Sequence, residues 1–172
     1  MSTEAEHDAP VADDAPSAGR ERVLDVVGLL ARLFLGAVLI YAGATKVGHP
    51  LTAERAVQAY EIFPMGLAGL IGQALPFVEI VLGVLLVLGL FTRPVAIVST
   101  LLLLAFVAGI SQAWARGLTI DCGCFGGGGQ VGAAQTRYPQ EIARDLGFMV
   151  AGVWLVWRPR TLASLDRVLF GH

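Results

Sequence analysis

The chain has 172 residues, of which 55% are hydrophobic and only 15% charged, and its net charge is −2. A soluble domain of this length carries about a quarter charged residues, so the missing charge argues for a membrane protein. With that net charge no nucleic-acid footprint is visible, and the scatter of the basic residues argues against a lipid-headgroup-binding cluster.

Residues 1–22 are rich in Ala, Asp, Glu, Ser and Pro and lack apolar periodicity, which predicts a disordered acidic tail. No short apolar run with a small-residue cleavage site follows, so the first apolar segment reads as an uncleaved anchor. That segment, about 23–45, is long enough at about 1.5 Å per residue to cross a ~30 Å hydrocarbon core. Arg32, Gly36, Leu39, Gly43 and Lys46 share one helical stripe of it. Small residues mark close helix contact in lipid, so Arg32 is expected to point into a bundle.

Residues 47–65 alternate in character and predict a short surface helix ended before Pro64, with Ala56, Tyr60 and Phe63 on its apolar side. A second span, about 66–91, places Gly72, Pro76, Glu79 and Gly83 on one stripe. The brief turn Thr92-Arg93-Pro94 makes the third span, about 95–115, its antiparallel neighbour. Gln112, Trp114 and Arg116 end that span as an interfacial anchor. A fourth span, about 141–157, has Arg144 and Asp145 near its start, and residues 159–172 predict a juxtamembrane amphipathic segment. The expected fold is all-α: one domain, residues 23–158, forming a four-helix transmembrane bundle with short surface helices.

Four spans place both termini on one side. Arg20, Arg22, Arg93, Arg158, Arg160 and Arg167 fall there, against Lys46, Arg55, Arg116 and Arg137 opposite. The positive-inside rule then puts the termini in the cytoplasm and the loop before the last span outside the plasma membrane.

That loop holds both cysteines of the chain, in Asp121-Cys122-Gly123-Cys124-Phe125, followed by Gly126–Gly129. A disulfide across so short a loop restricts the unfolded chain little and makes a poor staple. A strained, exposed disulfide is more oxidising and suits redox exchange. Gly123 permits the backbone angles such a ring needs, and the later glycines leave room for a partner in a mobile loop. Two other readings stay open here: inert thiols in a structural loop, or a metal site joining Cys122 and Cys124 to Asp121 and His49. The spacing of that set is not that of a usual zinc module.

Arg32 and Glu79 are ionisable groups in the hydrocarbon region, where function or mutual neutralisation is the default reading. They predict either an ion pair between spans one and two or a polar pocket for a quinone headgroup. Lys46, Arg144 and Asp145 lie near the depth of the cysteine loop. There they can pair with one another, or Lys46 and Arg144 can stabilise a thiolate.

The order of these elements is an arginine-bearing first span ending at Lys46, then AVQAYEIFP, LPFVEIVLG, ARGLTIDCGCFG and an ARD-containing last span. It resembles the MauE branch of the DoxX-like integral membrane proteins. The resemblance implies a four-helix membrane bundle associated with disulfide formation. Methylamine-utilisation members are linked to maturation of the disulfide-rich small subunit of methylamine dehydrogenase, beside a thioredoxin-like partner. It carries over Cys122 and Cys124 as a redox pair, and Arg32, Lys46, Glu79 and Arg144 as polar positions of the pattern. The family usually has Arg-Asn where this chain has Arg144-Asp145, which adds a charge. The expected function is thiol–disulfide exchange with an extracytoplasmic thioredoxin-like or disulfide-carrying protein, with electrons passing to or from a carrier such as quinone. Related four-helix enzymes generally use two cysteine pairs, and this chain has one. The rival expectations are a non-enzymatic assembly subunit of a membrane redox complex and a metal-delivery protein.

Overall fold

A computed structural model describes residues 18–159 and 164–166. Four long helices form the protein: α1 (Ala18–Val47), α3 (Met65–Leu88), α4 (Thr92–Ala115) and α5 (Tyr138–Trp157). A short α2 (Pro50–Ala59) follows α1, and two short strands, β1 (Ile120–Asp121) and β2 (Gly129–Gln130), precede α5. Helices α1, α3 and α4 are each long and apolar enough to cross a membrane. Helix α5 is 20 residues long and carries its charges, Glu141, Arg144 and Asp145, in its first turns. Packing of α1 on α3, α4 on α5, and α1 on α5 closes these four into an all-α bundle.

Helix α1 starts at Ala18, so residues 18–22 are helical rather than part of a tail. Glu21 lies in the first turn, where an acid favours the helix dipole, and it pairs with Arg158 at the end of α5. The remainder of the expected tail, and most of the expected C-terminal segment, lie outside the described residues. Helix α4 likewise begins earlier than position 95, with Pro94 inside its first turn. Proline is tolerated there because the N–H it lacks would have no intrahelical partner.

The bundle core is Leu35 and Leu39 of α1, Leu82 and Leu86 of α3, Val95, Ala96 and Leu103 of α4, and Leu155 of α5. Leu30, Phe34, Phe77, Leu101 and Val150 point outward. Lipid is as apolar as this core, so hydrophobicity alone does not decide which face turns inward; close packing does. A Cβ on Gly36 would stand 2.9 Å from the Gly83 carbonyl oxygen, and one on Gly43 2.5 Å from that of Pro76. The two small-residue stripes predicted on α1 and α3 therefore face each other, with their backbones in contact.

The α3–α4 turn is closed from the C-terminal segment. Gly89 ends α3 with a left-handed φ of 68°, and the Leu90 amide donates back to Leu85. Asp166 accepts the amides of Phe91 (2.7 Å) and Thr92 (2.9 Å), which caps the start of α4. The Ser164 hydroxyl and the Asp166 amide both donate to the Gly89 carbonyl. Arg32, fully buried, packs against Gly89 and feels the charge of Asp166.

Candidate functional site

At the opposite end of the bundle the chain leaving α4 folds back on itself. Strands β1 and β2 pair antiparallel, Ile120 opposite Gln130 and Asp121 opposite Gly129. The Tyr138 hydroxyl, from the first residue of α5, donates to the Leu118 carbonyl (2.5 Å) and accepts the Ile120 amide (2.9 Å). One side chain thus fixes the loop to the helix that follows it.

The cysteines lie in the connection between the strands. Gly123 and Gly128 adopt φ of 70° and 101°. A Cβ on either would come within 2.8 or 2.5 Å of the Ala56 Cβ. The glycines therefore let the loop lie down on α2; they do not hold open a mobile platform for a partner. Asp121 ties the same loop across by accepting the Gly128 amide at 3.1 Å.

Cys122 and Cys124 are both buried and not bonded to each other. The expected exposure of the pair is absent because α2 and the loop cover it. The Cys122 sulfur is surrounded by donors. The Cys124 amide reaches it at 3.3 Å and Arg144 Nη2 at 3.7 Å, while the Tyr60 hydroxyl holds the Cys122 carbonyl at 3.1 Å. Arg144 is itself aimed by the Asp145 carboxylate, 3.0 Å from its Nε, and by stacking 4.6 Å over the Phe125 ring.

These contacts separate the two thiols electrostatically. Hydrogen bonding from the Cys124 thiol, helped by the Cys124 amide and by Arg144, pulls Cys122 below the usual thiol range despite burial. Donating that bond, together with burial, pushes Cys124 well above it. Burial, with the two cysteines next in effect, also raises the Tyr60 phenol, so it stays a neutral donor.

Glu141 was not foreseen as a site residue. Its carboxylate, the Asp121 carboxylate and the Cys122 sulfur all lie within 4.8 Å of one another. It is buried, and its Oε2 has no hydrogen-bond partner among the described residues. The signal was present in the sequence. Tyr138, Glu141 and Asp145 are spaced by three and four, which puts them on one helix face, and all three are buried.

The other expected residues divide between the two ends of the bundle. Lys46 donates to both Glu79 oxygens, at 2.7 and 2.8 Å, with the two side chains 6% and 1% exposed. The acid partner of α3 is therefore Lys46, not Arg32. Arg32 packs at Gly89, ten residues further along α3, roughly 15 Å away by helical rise. Arg32 and Glu79 therefore stand at different depths of the bundle and do not form one headgroup site among the described residues. A cavity over the cysteines, bounded by Lys46, Ala56, Tyr60, Phe106, Cys122 and Cys124, has a volume of ≈ 40 Å³. That is room for a few water-sized molecules, against roughly 300 Å³ or more for a small-molecule pocket. These residues do not fit a quinone. Nor does the Cys122, Cys124, Asp121 and His49 set come together, since His49 is exposed at the start of α2. Where Asp121, Glu141 and the Cys122 sulfur do cluster, Arg144 already supplies a positive charge.

Residues 24–158 match the family described as Methylamine utilisation protein MauE. Over 98 residues the chain is 33% identical to the Methylamine utilization protein MauE of Paracoccus denitrificans. That match covers 56% of this chain and 53% of the relative, about half its length. No solved structure matches. The family match runs from the first turns of α1 to the end of α5 and takes in the cysteine loop, Lys46, Glu79 and Arg144: this chain belongs to the MauE family of multi-pass membrane proteins.

Proposed function

We propose that this protein performs thiol–disulfide exchange through Cys122 and Cys124, in the setting that its relative's name gives, methylamine utilisation. The observation that carries the reading is the convergence of the Cys124 amide and the Arg144 guanidinium on one sulfur. A thiolate is the nucleophile in disulfide exchange, and fixed donors with a cation favour it. Cys122 is then the attacking residue and Cys124, its thiol held protonated, the resolving one. From the reduced pair, the Cys122 thiolate attacks a partner's disulfide and releases one partner thiol. Cys124 then attacks Cys122 in the mixed disulfide, releasing the second. Two thiols of this chain are oxidised and one partner disulfide is reduced; the reverse path oxidises a partner dithiol.

The partner is a thioredoxin-like or disulfide-carrying protein on the outer face of the plasma membrane, with both termini of this chain in the cytoplasm. The arginine bias and the instability of cytosolic disulfides support that orientation. No electron step through quinone belongs to the proposal.

Replacing Cys124 with Ser removes resolution, so Cys124→Ser should accumulate a mixed disulfide between Cys122 and an extracytoplasmic protein, visible on non-reducing gels. Cys122→Ser should trap none. A cell in which neither variant traps a partner, and in which the double replacement keeps full activity, would instead contain a non-enzymatic assembly subunit. Capture of a cytosolic protein would reverse the orientation.

A further inference from the structure

The mechanism above leaves open where the proton of Cys122 goes. Cys122 is buried, and the cavity it borders has room for only a few water-sized molecules. Three carboxylates lie around the pair, and two of them already have one oxygen engaged. Asp121 accepts the Gly128 amide through Oδ2, and Asp145 holds Arg144 through Oδ1. Glu141 is buried, its carboxylate lies within 4.8 Å of the Cys122 sulfur, and its Oε2 has no partner among the described residues. Asp145 Oδ2 is open as well, but Asp145 is committed to Arg144 through its other oxygen. A buried oxygen left unsatisfied costs stability, and its persistence beside a nucleophile is what an acid–base group requires.

We infer that Glu141 is the proton carrier of the exchange: it takes the proton that Cys122 gives up on becoming the attacking thiolate and hands it to the departing partner thiolate. The inference rests on the exchange reading and names a catalytic residue within it. The proton of Cys122 passes to Glu141; the Cys122 sulfur bonds to one partner sulfur as the partner's S–S bond breaks. The leaving sulfur carries the electron pair and takes the proton back from Glu141, which returns to a carboxylate. In the second step the Cys124 proton accompanies the other leaving thiolate. No charge accumulates in the buried site. The charged and titratable groups around this site are Asp121, Arg144, Asp145, Cys122, Cys124 and Tyr60.

The leaving group provides the test. An alkyl disulfide, such as oxidised glutathione, leaves as a basic thiolate that needs a proton. An aromatic disulfide, such as dithiobis(nitrobenzoate), leaves as a weakly basic thiolate that does not. Exchange of the reduced, detergent-solubilised full chain is measured with both, in the Cys124→Ser background so that only the first step is seen. Glu141→Gln keeps the size of the side chain and removes the acid. It should slow exchange with the alkyl disulfide by about a hundredfold, the lower end for a general acid–base group. Exchange with the aromatic disulfide should change less than about threefold, and Glu141→Asp should restore most of the alkyl rate.

Equal loss with both disulfides in Glu141→Gln and Glu141→Asp would make the residue structural and overturn the inference. So would an unchanged alkyl rate. A leaving-group-selective loss in Asp145→Asn, with none in Glu141→Gln, would move the role to Asp145 and equally overturn it. The underlying exchange reading fails separately, if Cys122 reacts with neither disulfide in the chain with Glu141 intact.

Discussion

The two ends of the bundle both bury charge, and they use it in opposite ways. At the Gly89 turn, Asp166 points both carboxylate oxygens at backbone amides, while Ser164 covers the Gly89 carbonyl. Those acceptors are spent on closing a turn. At the cysteine end, the Asp145 Oδ2 and the Glu141 Oε2 have no partner among the described residues, and an arginine reaches a sulfur rather than a carboxylate alone. A buried polar group whose valences are filled rigidifies a fold; one left open beside a nucleophile is available for chemistry. Between these two regions stands the Lys46–Glu79 pair, which belongs spatially to the cysteine end and energetically to the bundle.

The strongest way to break the comparison is therefore at that pair. Lys46→Met leaves Glu79 buried with neither of the two donor contacts Lys46 makes, and stability should fall by about 3–5 kcal/mol, as when one half of a buried ion pair is removed. The double replacement Lys46→Met with Glu79→Leu removes both charges and should recover most of that loss, because a packed apolar pair often matches a buried ionic one. Thermal unfolding of the purified protein in detergent measures both. A double variant as unstable as the single one would mean that Lys46 does more than neutralise Glu79.

A smaller effect is expected at the other end. Asp166→Ala removes the acceptor of two amides at the start of α4 and should cost about 1 kcal/mol, the usual value for a lost helix cap. Alkylation of Cys122 and Cys124 should be untouched, since nothing in that cap contacts the sulfurs. If Asp166→Ala alters thiol reactivity, the two ends are coupled through the bundle and do not act as separate regions.

The contrast was only half legible in the sequence. Local signals carried what they could: hydropathy located α1, α3 and α4, and small residues at helical spacing on Gly36, Gly43, Gly72 and Gly83 marked the face on which α1 meets α3 and α3 meets α2. Pairing across helices was harder. Depth counting set Arg32 opposite Glu79, but α1 starts at Ala18 and runs antiparallel to α3, so its C-terminal end meets the middle of α3. Arg32 and Lys46 are 14 residues apart on α1, roughly 21 Å by helical rise, and Arg32 lies beside Gly89 at the end of α3, so counting both helices from one common plane set the wrong residue against Glu79. The loop was misjudged for a different reason. Four successive glycines read as mobility, whereas Gly123 and Gly128 take positive φ to press against Ala56, a long-range contact that no local pattern announces. Glu141 was concealed by its place at the start of a span, where an acid is ordinarily assigned to the helix dipole.

The finest test reads reactivity at the sulfurs and not the fold. Cys122 is pulled below the ordinary thiol range of about 8.5 and Cys124 is pushed above it. Only the thiolate alkylates, so as pH rises Cys122 should label first, below the usual range, and Cys124 only well above it. Mass spectrometry of iodoacetamide-treated, reduced protein across a pH series reads each residue separately. Arg144 is a cation 3.7 Å from the Cys122 sulfur, and a cation lowers the proton affinity of the group beside it. Arg144→Gln should therefore shift the Cys122 profile toward higher pH while Cys124 remains the slower of the two. Some stability should be lost too, because Arg144→Gln leaves the buried Asp145 carboxylate without its cation, so the labelling profile and not the melting temperature reads the effect on the sulfur. Two cysteines that label together at every pH would remove the asymmetry, and with it the assignment of Cys122 as the attacking sulfur. A Cys122 profile that moves with Arg144→Gln but not with Asp166→Ala would locate that asymmetry entirely at the cysteine end of the bundle.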